Sequence, residues 1–467
     1  MTKNKSYFFC GIGGSGMLPL AMILREGGAQ VSGSDRALDQ GRLAAKFEYL
    51  EAAGIGLHHQ DGSGLHSGDQ ILVASAAIED SVPDIAKAHA LGCKRMTRAE
   101  LLAQLFNAAP RSVAIGGTSG KSTVTGMAGW ILTCAGADPT IMNGGIMKNF
   151  ASADAPFASA RVGGGDLFVS EVDESDGSIA LYTPQVAVLN NISLDHKSLP
   201  ELRQLFGKFA QTAKSTIWNA DDIETVALLA PLHLTGDISF GFSDRADIRA
   251  TQIVDSPLGS RFTLTAQGTA LPVNLQVPGR HNISNALAAI AAAMAVGVNA
   301  PAAAAAMERF TGLARRFDIV GIAGGVTVID DFGHNPDKIA ATLATLKAFP
   351  GRVIVFFQPH GYGPIRVMGQ ELAQVFARML GRDDHLILCD PVYFGGSVDK
   401  SIGSASITDA VHAAGRNAQY IPNRDECGRR IIELAKSGDR IVIMGARDDT
   451  LSAFAADLLG QLVKASV

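Results

Sequence analysis

Residues 7–12 read YFFCGI, a short apolar run that breaks at GIGGSG and is followed, over residues 17–27, by apolar positions at helical spacing. A short apolar run bounded by turn residues predicts a buried strand, and the later spacing predicts a helix. The alternation continues. A second strand ends at VSGSD, another lies within QILVASAAI, and RAELLAQLF (residues 98–106) predicts a helix. Strands separated by crossover helices build a parallel, doubly wound sheet. The polar, proline-containing NAAPRS at residues 107–112 marks a first boundary.

The pattern then restarts. RSVAI (residues 111–115) predicts a strand and residues 121–134 a helix. DLFVSEVDESDGS and PQVAVLNNISLDH read as two strands, each ending in acidic or polar residues. Residues 237–276 alternate with period two and predict a small antiparallel subregion. VPGRHNISNALAAIAAAMAVG predicts a long alanine-rich helix with asparagines in its first turn. From about FTGLARRFD onward, strands at VTVIDD, RVIVFFQ, HLILCD and DRIVIMG are separated by helices such as residues 337–349. The expected architecture is α/β with three domains: a Rossmann-like domain at 1–108, a central P-loop domain at 109–313, and a second Rossmann-like domain at 314–467.

Composition narrows the function classes. The 467 residues are 47% hydrophobic and 18% charged, ample for large cores. A net charge of -5 without a basic stripe argues against nucleic acid as a partner. Cys10, Cys93, Cys134, Cys389 and Cys427 show no metal-type pairing and are expected to be buried apolar thiols in a reducing compartment. The N-terminus lacks an apolar core of signal-peptide length, and the alanine-rich residues 286–298 are too short and small-sided to span a membrane. A cytoplasmic protein without a membrane partner, monomeric or dimeric, is expected.

VAIGGTSGKSTVTG (residues 113–126) resembles a phosphate loop but carries Ile115 where the usual pattern has its first glycine. Strand, glycine-rich turn and helix still coincide, an arrangement that aims backbone N–H groups at an anion. Lys121, expected as a solvent-facing loop lysine, would reach terminal phosphates, and the Ser122 hydroxyl would sit on Mg²⁺. GIGGSG, with Asp35 roughly twenty residues on, fits the dinucleotide fingerprint. That geometry serves a nicotinamide dinucleotide or any pyrophosphate with a ribose, so an oxidoreductase and a nucleotide-sugar enzyme both stay open. Glu171, Asp173, Glu174 and Asp176 follow a strand and suit a magnesium–nucleotide site, with His196 on the neighbouring strand end. Asn282 and Asn285 share a helix face beside His281; they suit either a helix cap or an adenine edge.

Jointly, GGTSGKST, GIGGSGM, VSGSD, SEVDESD, PGRHNISN, RRFD and DDFGHNP resemble, in order and across the chain, the Mur ligase superfamily of ATP-dependent amide-bond-forming ligases of peptidoglycan synthesis. The resemblance implies ATP and Mg²⁺ as cofactors, a UDP-N-acetylmuramate-type nucleotide sugar as donor, and an amino acid or peptide as acceptor. It implies that Lys121, Glu171, His196 and Arg316 are catalytic, and that Ser122, Glu171 and His196 serve the metal. ATP would meet Gly117, Thr118, Ser119, Gly120, Lys121, Ser122, Thr123, His281, Asn282, Asn285, Arg316 and Asp331. Gly13, Gly14, Ser15, Gly16, Met17, Asp35 and Ser75 would line the UDP-sugar site, and His334, Asn335 and Arg366 the acceptor site.

One region departs from the family pattern. Gly361 and Pro364 stand where arginines are expected, Asn335 replaces a histidine and Phe332 a tyrosine. A small anionic acceptor such as L-alanine is therefore expected to be used poorly. A peptide acceptor in wall recycling and a catalytically silent nucleotide-binding relative are the other readings.

Overall fold

A computed structural model describes residues 3–76, 78–194, 197–392 and 399–465. Contacts divide the chain into two compact units. One comprises Met1–Ile253, Arg261–Leu275 and Asn282–Thr311, and the other Val254–Ser260, Gln276–His281 and Gly312–Val467.

The first unit opens with a five-stranded sheet of β1 (Ser6–Cys10), β2 (Gln30–Ser34), β3 (Gly56–His58), β4 (Ile71–Ala74) and β5 (Lys94–Thr97). Their spatial order is β3-β2-β1-β4-β5, all parallel. The order reverses beside β1, so the crevice for a ligand opens where GIGGSG leaves that strand. Phe8 and Phe9 are fully buried on opposite faces, as expected of a parallel sheet covered on both sides.

A ten-stranded sheet follows: β6 (Arg111–Gly116), β7 (Thr140–Met142), β8 (Ala160–Arg161), β9 (Leu167–Glu171), β10 (Val186–Leu189), β11 (Ser215–Asn219), β12 (Ile238–Gly241), β13 (Ile248–Ser256), β14 (Gly259–Ala266) and β15 (Thr269–Leu275). Its order is β15-β14-β13-β12-β11-β10-β6-β9-β7-β8. Within residues 237–276, β13, β14 and β15 are consecutive neighbours joined by two-residue turns, the antiparallel meander expected there, and this meander is not a separate sheet. β12 pairs parallel to β11 and β13 parallel to β12, so the segment extends the main sheet. Period-two alternation reports one-sided burial and does not distinguish these arrangements. The helix Arg280–Ala295 buries residues 286–293 completely, which alanine permits because its side chain allows close backbone approach. Trp130 donates to the Ala306 carbonyl at 3.0 Å, and Trp218, on β11, to Asp237 at 3.3 Å.

The second unit holds β16 (Asp318–Ala323), β17 (Val326–Asp331), β18 (Val353–Gln358), β19 (His385–Leu388), β20 (Asn417–Tyr420) and β21 (Arg440–Gly445), ordered β16-β17-β21-β18-β19-β20. Only β16 is antiparallel to its neighbour. β18 and β21 are buried at every position and match the continuous apolar runs that predicted them. β16 and β20, half-buried or exposed at nearly every position, gave no such signal.

The five cysteines are free, but only Cys10, Cys389 and Cys427 are buried; Cys93 and Cys134 are half-buried, contrary to expectation. No described helix is long and apolar enough to cross a membrane.

Candidate functional site

The phosphate loop leaves β6 between β9 and β10, whose ends supply its partners. Gly120 precedes the helix Lys121–Cys134 at φ 83°, a left-handed conformation that favours glycine. A Cβ there would also meet Asn190 Nδ2 and Asn285 Oδ1 at 2.5 Å. Those two asparagines are themselves joined, Asn190 Nδ2 donating to Asn285 Oδ1 at 3.1 Å and to the Ser119 carbonyl at 2.9 Å. Asn191 holds the other side. Its Oδ1 accepts from the Ser119 amide at 2.8 Å and from the Thr118 hydroxyl at 2.9 Å. The loop is thus pinned from β10 and from the alanine-rich helix, and the first-turn amides of its own helix, including Thr123, are oriented for an anion.

Lys121 is not the solvent-facing residue expected. Its Nζ donates to the Gly117 carbonyl at 2.6 Å and pairs with Glu174 Oε2 at 2.7 Å, where the Glu174 side chain is 5% exposed. The sequence could not place Glu174 under the loop, because the turn after β9 sets that geometry. Ser122 Oγ donates to Glu171 Oε2 at 2.7 Å, and its carbonyl accepts from Asn143 at 3.0 Å. Glu171 packs against Gly144 so closely that a Cβ there would collide with Oε1. Burial opposes charge on Asp173, but the Ser175 hydroxyl and amide, with Lys121 and Arg98 nearby, hold its carboxyl below the ordinary range. Burial raises the Tyr182 phenol well above its usual value. Asp195 and His196 lie outside the described residues.

Of these residues, Lys121, Asn143, Gly144, Glu171, Asp173 and Tyr182 line a cleft of about 310 Å³, together with Ser15, Gly16, Arg98 and Met142. Beside the glycine loop, Asp35 is half-buried and holds two backbone amides. Its Oδ2 accepts from the Gly13 amide at 2.9 Å, and its Oδ1 caps a short helix through Ala37 at 2.8 Å. The Gly14 amide donates to the Gly11 carbonyl at 3.2 Å. Met17 is buried in the core, so it contributes packing, whereas Ser75 is exposed just beyond β4.

In the second unit, Arg315 and Arg316 stack on the Phe332 ring at 5.0 and 4.7 Å. His334 meets Phe332 and His360 edge-on at 5.4 and 5.1 Å. Its Nδ1 lies 2.8 Å from the Phe332 carbonyl, which assigns the proton to that nitrogen. Burial first, then Lys338, pushes the His334 imidazole down to about 3. Burial likewise lowers His281, opposed by Asp331. Asp331 accepts from Phe317 and Gly333 amides, each at 2.8 Å, and from Thr342 at 3.1 Å. Asn335 caps the helix Pro336–Lys347 through the Lys338 amide at 2.9 Å. Arg366 reaches Asp399 at the surface, its Nη1 lying 3.4 Å from Oδ2 and its Nη2 3.3 Å from the carbonyl. Residues 393–398 lie outside the described residues.

Comparison with known proteins covers the same span. Residues 6–109 match the Mur ligase family catalytic domain, 115–293 the Mur ligase middle domain and 315–447 the Mur ligase glutamate ligase domain. The chain is similar to a UDP-N-acetylmuramate–L-alanine ligase of Synechococcus sp. (strain JA-3-3Ab), 36% identical over 97% of this chain and 87% of that protein. It is 34% identical to the Streptomyces coelicolor protein of the same name, over 95% of each. A Thermotoga maritima UDP-N-acetylmuramate-alanine ligase shares the fold at TM-score 0.80 and 24% identity, covering 99% of this chain and 100% of that one. A murein peptide ligase from Psychrobacter arcticus aligns at TM-score 0.71 and 26% identity, over 98% and 99%.

Proposed function

This chain belongs to the Mur ligase family of ATP-dependent ligases, and we propose that it joins the carboxylate of a UDP-N-acetylmuramate-type donor to the amine of an amino acid or peptide, through an acyl phosphate, in peptidoglycan synthesis or recycling. The domains we assign are 1–108 for the nucleotide sugar, 109–313 for ATP, and 314–467 for the acceptor and part of ATP. One observation carries the reading: Ser15 and Gly16 of the glycine loop line the same cleft as Lys121 and Glu171 of the phosphate loop.

A carboxylate is a poor electrophile. Attack of its oxygen on the γ-phosphorus forms a C–O–P link and releases ADP. The amine nitrogen then adds to the carbonyl and loses a proton, and phosphate departs as the C–O bond breaks. Negative charge gathers on phosphoryl and acyl oxygens at both steps. Lys121 would leave Glu174 to meet the γ-phosphate, while the loop amides hold the adjoining phosphates. Alignment of the reacting groups contributes much of the acceleration.

Ser122 and Glu171 fit Mg²⁺, because the hydroxyl and the carboxylate converge at 2.7 Å as two hard oxygen donors. Bound there, the ion would neutralise phosphate charge. Asn282 and Asn285 would approach the nucleotide, as would His281, Arg316 and Asp331 of the second unit. A cytoplasmic location fits the nucleotide substrates.

The deciding experiment is phosphate release from ATP with UDP-N-acetylmuramate and a panel of amines. Release that needs both donor and amine supports the reading. Release independent of the donor, or NADH binding by the protein, overturns it.

A further inference from the structure

We propose that Arg98 receives the donor's carboxylate and holds it beside the phosphate loop. The inference rests on the ligase reading and deepens it by naming a residue that no sequence motif had singled out.

Arg98 begins the helix Arg98–Asn107 and lines the cleft with Gly16, Lys121 and Glu171. Its side chain lies directly on the glycine loop. A Cβ at Gly16 would stand 2.9 Å from Arg98 Cδ and 3.4 Å from both Nε and Nη1. Among the described residues the guanidinium makes no hydrogen bond. Its ion-pair contact, Asp176 Oδ2, is 3.9 Å away, with side-chain exposures of 30% and 41%. A contact that long and that exposed contributes little. Lys121, by contrast, is already paired with Glu174.

The electrostatics of the reaction call for such a group. An anionic carboxylate must approach an anionic triphosphate next to Glu171, Asp173 and Asp176, so repulsion opposes every productive encounter. Arg98 and Lys121 line the same cleft as Glu171 and Asp173, so the two cations face the space where the anions would meet. The guanidinium fork suits a carboxylate through two parallel hydrogen bonds, and its donors are open. The glycine-loop amides can serve the pyrophosphate, which leaves the carboxylate to Arg98.

Calorimetry without ATP tests this by comparing UDP-N-acetylmuramate with UDP-N-acetylglucosamine, which lacks the carboxylate. Arg98→Ala is expected to weaken the first about tenfold to a hundredfold and the second less than about twofold, with Arg98→Lys recovering part of the loss. Should the alanine variant not fold, Arg98→Gln is read with the same two ligands. Equal weakening of both ligands, or none of the first, overturns the assignment. If the unmodified protein binds neither nucleotide, the donor reading itself has failed.

Discussion

Lys121 Nζ lies 2.7 Å from Glu174 Oε2, with side-chain exposures of 19% and 5%. The lysine that would meet ATP therefore has a resident counter-ion, and a γ-phosphate must compete with a carboxylate held in a low-dielectric setting.

Removing one partner of such a pair strands the other. Lys121→Ala is expected to abolish ATP turnover and also to cost about 3–5 kcal/mol of stability, because Glu174 stays buried without its cation. Glu174→Gln added to that variant should restore stability but not turnover. Thermal or urea unfolding beside a phosphate-release assay separates the effects. Unchanged stability in Lys121→Ala would show that the pair does not persist in solution.

Asn190 and Asn285 clamp the phosphate loop jointly, so their losses should not add. Each alanine variant is expected to weaken ATP binding, with a coupling energy of about 1 kcal/mol in the double-mutant cycle. Strict additivity in ATP titrations would mean that the 3.1 Å bond does not brace the loop.

Gly144→Ala would drive a methyl group into Glu171 Oε1. The carboxylate must then swing away from Ser122. The expected result is a raised Mg²⁺ requirement, read from turnover against free Mg²⁺, with donor binding unaltered. An unchanged magnesium curve would remove Glu171 from the metal site.

His334 titrates near 3 in the folded protein, against an ordinary 6.5. Between those values the unfolded chain holds the proton and the folded chain does not. Its stabilising contribution is complete above about pH 6.5 and declines as pH falls toward 3, by at most ~1.4 kcal/mol per pH unit. His281, shifted the same way, adds to the slope. Urea unfolding between pH 7.5 and 4 should show a shallower decline for His334→Gln than for the unmodified protein. Parallel curves would exclude His334 as a source.

The acceptor end gives the prediction most at odds with the relatives. Gly361 precedes the helix Tyr362–Met379 and Pro364 sits in its first turn, so neither can supply a guanidinium to a carboxylate. L-alanine is expected to be a poorer acceptor than another amino acid or a peptide. Steady-state kinetics across an amine panel decides it; L-alanine as the best substrate would refute it.

Strands carrying long apolar runs, such as β18 and β21, were legible in the sequence, as were the two glycine loops, the serine after β6 and the glutamate that ends β9. Each is encoded locally. The missing information was pairwise and long-range. Glu174 beneath Lys121 and Asn190 against Asn285 lie 53 and 95 residues apart. Arg98 is an ordinary helix residue until α/β packing brings it onto Gly16. Asp35 has a role that its spacing did not show: its carboxylate braces the Gly13 amide. The paired asparagines at the end of β10 were the one visible hint of the clamp, since two adjacent amides just past a buried strand need partners.

Trp130 and Trp218 are the chain's two tryptophans, and both belong to the region of the ten-stranded sheet. Trp130 stands in the helix that the phosphate loop begins, and Trp218 on β11, the strand beside β10, which Asn190 follows. Light absorbed at the red edge of the ultraviolet band will therefore be emitted from that region alone. The glycine-loop sheet and the third sheet stay dark under such excitation. Fluorescence thus follows nucleotide binding and melting in one region of a 467-residue chain without an added dye, while circular dichroism records the whole. A gap between the two melting curves would reveal whether the phosphate-loop region unfolds with its neighbours or apart from them.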